Sequence, residues 1–496
     1  MGDSEVGDFP QEENNIKSFG EIEKLGIPLK EGGYKLDLDM VASYIFHKLN
    51  VISFGGKLWI YDWQKKIYRV NSNDVEKEIQ TIREELDAID LLSRAIPEVK
   101  AQLLTKNVKT EWPFNTCQNA IPVRNGILFF DYQIHDTQMA KHGPIHLFTY
   151  KLDVDYNKDV DIMPAMEVLE KWVEKKDVTN LIQAPAQALL QTMTGKSMRK
   201  AYLFMGPTFA AKSSYVVLLN KFVGREFVSE VTLHDLANNR FASGTLESKI
   251  LNIVDDLAGI PLESVENFKR YTGIPNHDIE RKGQQSYPGM VTCTFIYTCN
   301  TPPVVNMRIR KDSAFWNRWN VVRFPYLFEQ DTTFCERTFT DDFMSSFLNC
   351  VIKIMHAVEQ EKKLVVSCDP DESMDMWLLG TDPLVQFVEE GARFGEAGSG
   401  ETMVSYDKDK LFEFYLKVCD DEGVEPNKII RSKTAFSIQM QNLGFFPANT
   451  KRLVMGGDGK KIPHNIKVYR SWKIPLSDEA RQCVLSSGQS DLRDVE

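Results

Sequence analysis

The stretch from Lys200 to Gly224, KAYLFMGPTFAAKSSYVVLLNKFVG, constrains the fold more than any other part of the chain. Ala201 to Met205 carry no charge, a Gly-Pro turn follows, and SSYVVLLNKFVG has the apolar spacing of a helix that stops at a glycine. A strand with no polar face has to be buried on both sides, and a parallel sheet covered by helices does that. The pattern recurs. KILNIVDD, TCTFIYTCN and NVVRFP are short apolar runs set among helical segments, which predicts an α/β layer spanning residues 200–375.

The flanks read differently, and 496 residues allow several domains. Residues 1–34 read as a flexible acidic leader, with seven acids against two lysines in the first 25. Residues 35–160 read as an α+β domain. NVISF, KLWIYDW and KIYRVN alternate like a meander, a helix starts at Asn73 or Asp74 and runs through VEKEIQTIREELDAIDLL, and Asn125-Gly126 is a turn before the strand GILFFD. Residues 161–199 read as a helical collar or linker. A C-terminal module is expected over 383–478, with a joint at 392–402 and a flexible tail over 479–496.

Composition narrows the function classes. The net charge of -11 rules out a chain that coats itself uniformly with nucleic acid, although a local basic face can still bind it. Eight cysteines with no C-x-x-C pair argue against a zinc module and for free thiols in a reducing, cytoplasmic setting. There is no H-E-x-x-H, and the first residues lack the basic and apolar regions of a signal peptide. No run approaches 18 apolar residues, so no membrane span is expected.

Gly206, Pro207, Thr208, Phe209, Ala210, Ala211, Lys212, Ser213 and Ser214 nearly spell the phosphate-binding loop G-x-x-x-x-G-K-[ST]. Strand, turn and helix N-terminus are all present, and such an N-terminus offers free N–H groups and a partial positive charge to an anion. In that reading Lys212 reaches the β and γ phosphates of ATP, and Ser213 ligates Mg2+. Ala211 stands where glycine is usual; if its backbone is left-handed, the methyl group costs on the order of 1 kcal/mol. About forty residues on, Asp255 and Asp256 end an apolar strand, where a carboxylate can hold Mg2+ and orient water. Asn300 ends the next strand, within reach of a γ-phosphate. Arg318 lies among Phe315, Trp316 and Trp319, and an arginine offered to a γ-phosphate stabilises transition-state charge. Each part alone also reads as ordinary α/β structure; the four in this order are more specific than any one.

With these residues in view, the sequence resembles superfamily 3 helicases of the viral, phage and plasmid primase-helicase type, related to the poxvirus NTPase. GPTFAAKSS resembles the Walker A motif and ILNIVDD the Walker B motif. FKRYTGIPNHDIERKGQQSYPGMVTCTFIYTCNTPP resembles the signature run, and AFWNRW the arginine motif that follows. The likeness is strong over residues 200–330 and weaker in VRNGILFFD, DYNKD and YDKDKLFEFYLKVCDDEG. It implies a multidomain chain: an α+β N-terminal accessory domain, a central α/β P-loop NTPase of AAA+ type, and a C-terminal winged helix. It also implies Lys212 and Ser213 on phosphate and Mg2+, Asp256 as the main Walker B acid beside Asp255, Asn300 as sensor 1, and Arg318 as a finger reaching a neighbouring subunit's nucleotide. Glu280, Arg281 and Lys282 fall where the family places a hairpin lining the pore of a ring; basic residues there can track a strand's backbone, and Tyr287 is an aromatic that can stack on a base.

The resemblance thus implies an ATP-dependent DNA helicase of viral or plasmid replication: a homo-oligomer, hexameric in the family, that threads single-stranded DNA. Residues 1–160 show no primase carboxylate pattern, so any primase activity is expected on a separate chain. Ala210-Ala211 before the lysine, and aspartate where many relatives have glutamate, put turnover in question more than binding. An ATP-regulated initiator that binds an origin, and a translocase on double-stranded DNA, stay open beside it. Duplex DNA is expected at residues 424–475. There ten basic residues, Lys433, Lys451, Arg452, Lys460 and Lys461 among them, face only Glu425 and Asp458. SKTAFSIQMQNLG reads there as a helix, and TKRLVMGGDGKKIPHNIKVYRSW as a basic hairpin.

Overall fold

A computed structural model describes residues 22–117, 119–131, 136–389, 393–396, 403–424, 426, 428–455 and 461–485. The chain is a multidomain α/β protein that divides into two compact units. One holds the described residues up to Leu257, with Glu263–Asn300 and Asp312–Cys368; the other holds Ala258–Leu262, Thr301–Lys311 and the described residues from Asp369 onward.

The first unit is organised by a parallel sheet of five strands, labelled here in chain order: β1 (Ala201–Met205), β2 (Val228–Ser229), β3 (Leu251–Val254), β4 (Thr294–Cys299) and β5 (Trp319–Arg323). Their order across the sheet is β2-β3-β4-β1-β5. The apolar runs of the sequence are these strands, and β1, β3 and β4 are buried at every position. Helix α1 (Lys212–Val223) follows β1 and ends at Gly224, whose φ of 87° suits a residue without a side chain.

The stretch read as a collar lies inside this core. The helix Val178–Thr194 is buried from Asn180 to Met193 and packs against β4 and the helix Asp341–Glu361. Its glutamines are buried too: Gln187 donates to the Lys200 carbonyl at 2.8 Å and Gln191 to that of Thr292 at 3.1 Å. A buried amide satisfied by backbone behaves as core. The same cluster takes in the strands Ala120–Val123 and Gly126–Asp131, which pair with each other, so packing does not break near residue 160.

A smaller core fills the N-terminal part, where Val41, Ile45, Ile79, Ile82, Val99 and Leu103 meet. The expected meander is present as Ile52–Phe54, Lys57–Asp62 and Ile67–Val70. The helix that begins at Asn73 stops at Glu85, short of the predicted run, because Asp87 turns left-handed with φ of 50°. Part of the stretch read as a leader is folded: Gly26–Pro28 pairs with Tyr34–Leu36, and Leu25 is buried. Residues 1–21 lie outside the described residues.

In the second unit, the helices Lys408–Asp421 and Lys433–Asn442 precede a hairpin of two eleven-residue strands, Phe445–Met455 and Lys461–Ser471; Val404–Asp407 completes a three-stranded antiparallel sheet. Leu411, Tyr415, Phe436, Met440, Phe445 and Tyr469 form its core. The stretch read as a flexible tail is structured through residue 485, with Ala480 and Cys483 buried. All eight cysteines are free thiols. Among the described residues no helix is long and apolar enough to cross a membrane.

Candidate functional site

Parallel strands point their carboxyl ends at one edge, where open α/β sheets bind ligands. At this edge the loop Gly206–Ala211 joins β1 to α1, with Asp255 and Asp256 following β3 and Asn300 following β4. Gly206 is required by close packing, since a Cβ there would lie 2.4 Å from the Phe324 carbonyl oxygen. Ala211 has the left-handed backbone that the glycine of the usual spelling would supply, with φ of 68°, and Phe209 is left-handed too, with φ of 65°. Helix α1 starts at Lys212, so Ser213 stands exposed on its first turn and Ser214 is half-buried beside it.

Lys212 is 8% exposed. Its ammonium donates to the carbonyls of Gly206 and Pro207, both at 2.7 Å, and to Asn300 Oδ1 at 2.9 Å. Burial lowers its pKa below the ordinary lysine value; the negative groups nearby, among them Asp255 and Asp256, oppose that shift. Asn300 Nδ2 in turn reaches Thr208 Oγ1 at 3.3 Å. The acid pair is held by a residue the sequence reading missed, Thr298 of β4. Its hydroxyl donates to Asp255 Oδ1 at 2.6 Å and accepts from the Asp256 amide at 2.9 Å. Both carboxylates are exposed, and Asp256 is a third left-handed residue, with φ of 58°. Thr298 was legible only as a polar residue of β4 two positions before Asn300.

The structure sets Arg318 apart. It precedes β5, and its carbonyl accepts from the Ala201 amide at the amino end of β1, so about 16 Å of strand, at roughly 3.3 Å per residue, separates it from its own loop. Burial and Arg199 lower its pKa, and its Nη2 donates to the Lys269 carbonyl at 3.3 Å. Arg323 ends the same strand in register with Met205, at the loop's edge, and is exposed. Counting along WNVVR as a parallel strand places it there.

The basic hairpin is Asn276–Ile279 paired with Tyr287–Met290. Lys282 is exposed in its turn. Tyr287 corrects the expectation of a base-stacking aromatic: it is 6% exposed, and its hydroxyl contacts both Glu247 carboxylate oxygens at 2.5 and 2.6 Å. Arg281 pairs with Glu247 at 2.8 Å, so its charge faces a buried acid. In the second unit, Lys433 pairs with Asp409 at 2.5 Å. Lys451, Arg452 and Lys461 are placed on the long hairpin opposite Asn465, His464 and Met455. Lys460 lies outside the described residues.

The residues at the sheet edge fit a divalent ion carried on a triphosphate. A hydroxyl and two exposed carboxylates are hard oxygen donors, and Mg2+ is commonly held by one or two carboxylates plus substrate phosphates. Among the described residues no group of three or more His, Cys, Asp or Glu is placed to hold a metal by itself.

Comparison with known proteins gives a local match to a family of unstated activity. The model of a family of unknown function, DUF5906, matches residues 208–318, from Thr208 in the loop to Arg318. No curated protein matches. Among solved structures, an A-form apo structure of the NrS-1 C terminal region is 12% identical, covers 87% of this chain and 98% of that one, and has a TM-score of 0.43. Another apo structure of that region is 14% identical, with coverage of 87% and 99% and a TM-score of 0.45.

Proposed function

We propose that the chain is an ATP hydrolase that moves on nucleic acid, a replicative DNA helicase of the ring-forming kind. The observation that carries this reading is the convergence of the Lys212 ammonium, Asn300 and the Asp255–Asp256 pair on the carboxyl edge of one parallel sheet. In this reading the ammonium turns from the Gly206 and Pro207 carbonyls to the β and γ phosphates, and the loop and α1 supply N–H groups. Ser213, Asp255 and Asp256 would hold Mg2+, which when bound neutralises charge on the phosphate oxygens. Asp256 and Asn300 orient the attacking water. Thr298 keeps the acid pair in place, and tethered geometry is most of what phosphoryl transfer asks of a protein.

Arg318 sits too far along the sheet to reach its own loop, which supports a role on a neighbouring copy's nucleotide and therefore a homo-oligomer, a hexamer by resemblance. Lys282 at the hairpin turn is the contact for single-stranded DNA; in the second unit Lys433, at the start of its helix, and the basic hairpin residues Lys451, Arg452, Lys460 and Lys461 are the contact for duplex. A separate chain supplies any primase activity, and the setting is the cytoplasm, that of the host if the chain is viral. The test is binding of ATP with Mg2+ by calorimetry: wild type binds, Asp255→Ala and Asp256→Ala lose the Mg2+-dependent part, and equal binding by all three would overturn the site.

A second reading has its own observation. Three non-glycine residues of this site, Phe209, Ala211 and Asp256, are left-handed, each at a cost of roughly 1–2 kcal/mol. A strained site suits a switch that binds ATP and turns it over slowly, as an origin-binding initiator would. Duplex binding through residues 424–475 with negligible turnover would favour it. Hydrolysis stimulated by duplex without strand separation would instead mark a double-stranded DNA translocase.

A further inference from the structure

Glu247 belongs to none of the motifs above, and its side chain is 3% exposed. A buried carboxylate is tolerated only when its oxygens are fully paired. Here Tyr287 and Arg281 of the hairpin do the pairing. The Tyr287 hydroxyl also accepts from Lys57 Nζ at 3.0 Å, and that ammonium lies 4.5 Å from the ring centroid. Phe54 meets the same ring edge-on, and a Cβ on Gly55 would lie 2.5 Å from it. Close approach repeats at the base of the hairpin, where a Cβ on Gly244 would meet the Glu280 carbonyl at 2.6 Å. The Glu280 amide donates to Ser243 at 2.9 Å, and its carboxylate pairs with Arg240.

Glu247 stands four residues before β3, the strand that ends in the acid pair. One carboxylate therefore joins three parts: the strand leading to Asp255 and Asp256, the basic hairpin, and the Phe54–Lys57 turn of the N-terminal meander. Burial lowers the Lys57 pKa and raises that of Tyr287, whose hydroxyl is buried against Glu247.

We propose that Glu247, Tyr287 and Lys57 form a latch through which the N-terminal region positions the hairpin relative to the acid pair, so that a nucleic acid on Lys282 is felt at the ATP site. This rests on the ATP-hydrolase reading. Glu247 is a positioning residue in it and touches no substrate.

The test uses the full chain with Lys57→Met, which keeps the aliphatic packing, and with Tyr287→Phe, which keeps the ring. Two quantities are read: ATP hydrolysis with and without an oligo-dT strand, and hydrogen exchange of backbone amides in residues 276–290 without nucleotide. Each variant is expected to keep basal hydrolysis within about twofold, to lose most of the stimulation by the strand, and to exchange roughly tenfold faster in the hairpin, the loss of about one charge-assisted hydrogen bond. The double variant should be no worse than Tyr287→Phe, since both remove the same link. Stimulation intact in both variants overturns the proposal, as does unchanged exchange. A parallel fall of basal rate and melting temperature also overturns it, because the residues would then be merely structural. If wild type shows no hydrolysis at all, the ATP-hydrolase reading fails, and the exchange data alone then show whether the three side chains hold the hairpin.

Discussion

The loop Gly206–Ala211 and the hairpin Asn276–Met290 each present a cation beside a turn, and the two cations meet opposite surroundings. Lys212 rests on two backbone carbonyls and an amide oxygen, neutral partners that an anion can replace. Arg281 faces a buried carboxylate, a partner it cannot leave without stranding a charge. The backbone differs in the same sense. Phe209, Ala211 and Asp256 hold left-handed conformations that cost free energy, while the only left-handed residue between Asn276 and Met290 is Gly283. Strain and exchangeable partners mark a place built to change on binding; satisfied charges and close-packed glycines mark a fixture. Arginines and lysines near turns are therefore not equivalent ligand candidates, and the partner each already holds decides between them.

Several measurements would break or sharpen this contrast. The largest effect is expected at Lys212: Lys212→Ala should lower ATP turnover by at least about a thousandfold, since the ammonium acts on transition-state charge. Arg318→Ala should keep ATP binding within severalfold and still lose roughly a thousandfold in turnover, with partial recovery when mixed with Lys212→Ala subunits. Arg323→Ala, at the loop's own edge, serves as the control; if it alone were needed, the finger would act within one chain. Arg281→Ala should behave as a stability variant, lowering the midpoint of a denaturant melt by leaving Glu247 without its cation. Lys282→Ala should leave the melt unchanged, weaken single-strand binding severalfold, and lower its salt slope by about one.

Smaller effects come from strain and from burial. Ala211→Gly relieves a left-handed alanine and should add about 1 kcal/mol to stability in a thermal melt, with tighter ATP binding. An unchanged melt would mean that the loop does not pay for its shape. Burial pushes the Cys293 and Cys299 thiols up to about 12. A raised folded pKa favours the protonated form, so the stability these thiols contribute is complete below the unfolded value near 9 and is lost as pH climbs toward 12. Titration of melting temperature over that interval checks the sign.

The strands of the sheet were legible because a run such as AYLFM has no polar face to offer water, and the loop was legible because its spacing ties a turn to a helix start. The same spelling raised a left-handed backbone at Ala211 as a condition, and the φ of 68° meets it. What the sequence hid depends on partners distant in the chain. Tyr287 reads as a stacking residue until Glu247, forty positions earlier, is seen to hold its hydroxyl. Residues 161–199 read as a collar or linker until the backbone carbonyls of Lys200 and Thr292 are found against the glutamines of Val178–Thr194. Arg318 and Arg323 are five residues apart on paper, and only the parallel register shows that they stand at opposite ends of the sheet.

The most direct test of the account is steady-state ATP hydrolysis with and without single-stranded DNA, wild type beside Lys212→Ala. The account predicts turnover that rises with the strand and disappears in the variant. Hydrolysis by Lys212→Ala at the wild-type rate would contradict it, because the cation at the centre of the site would then have no part in the chemistry.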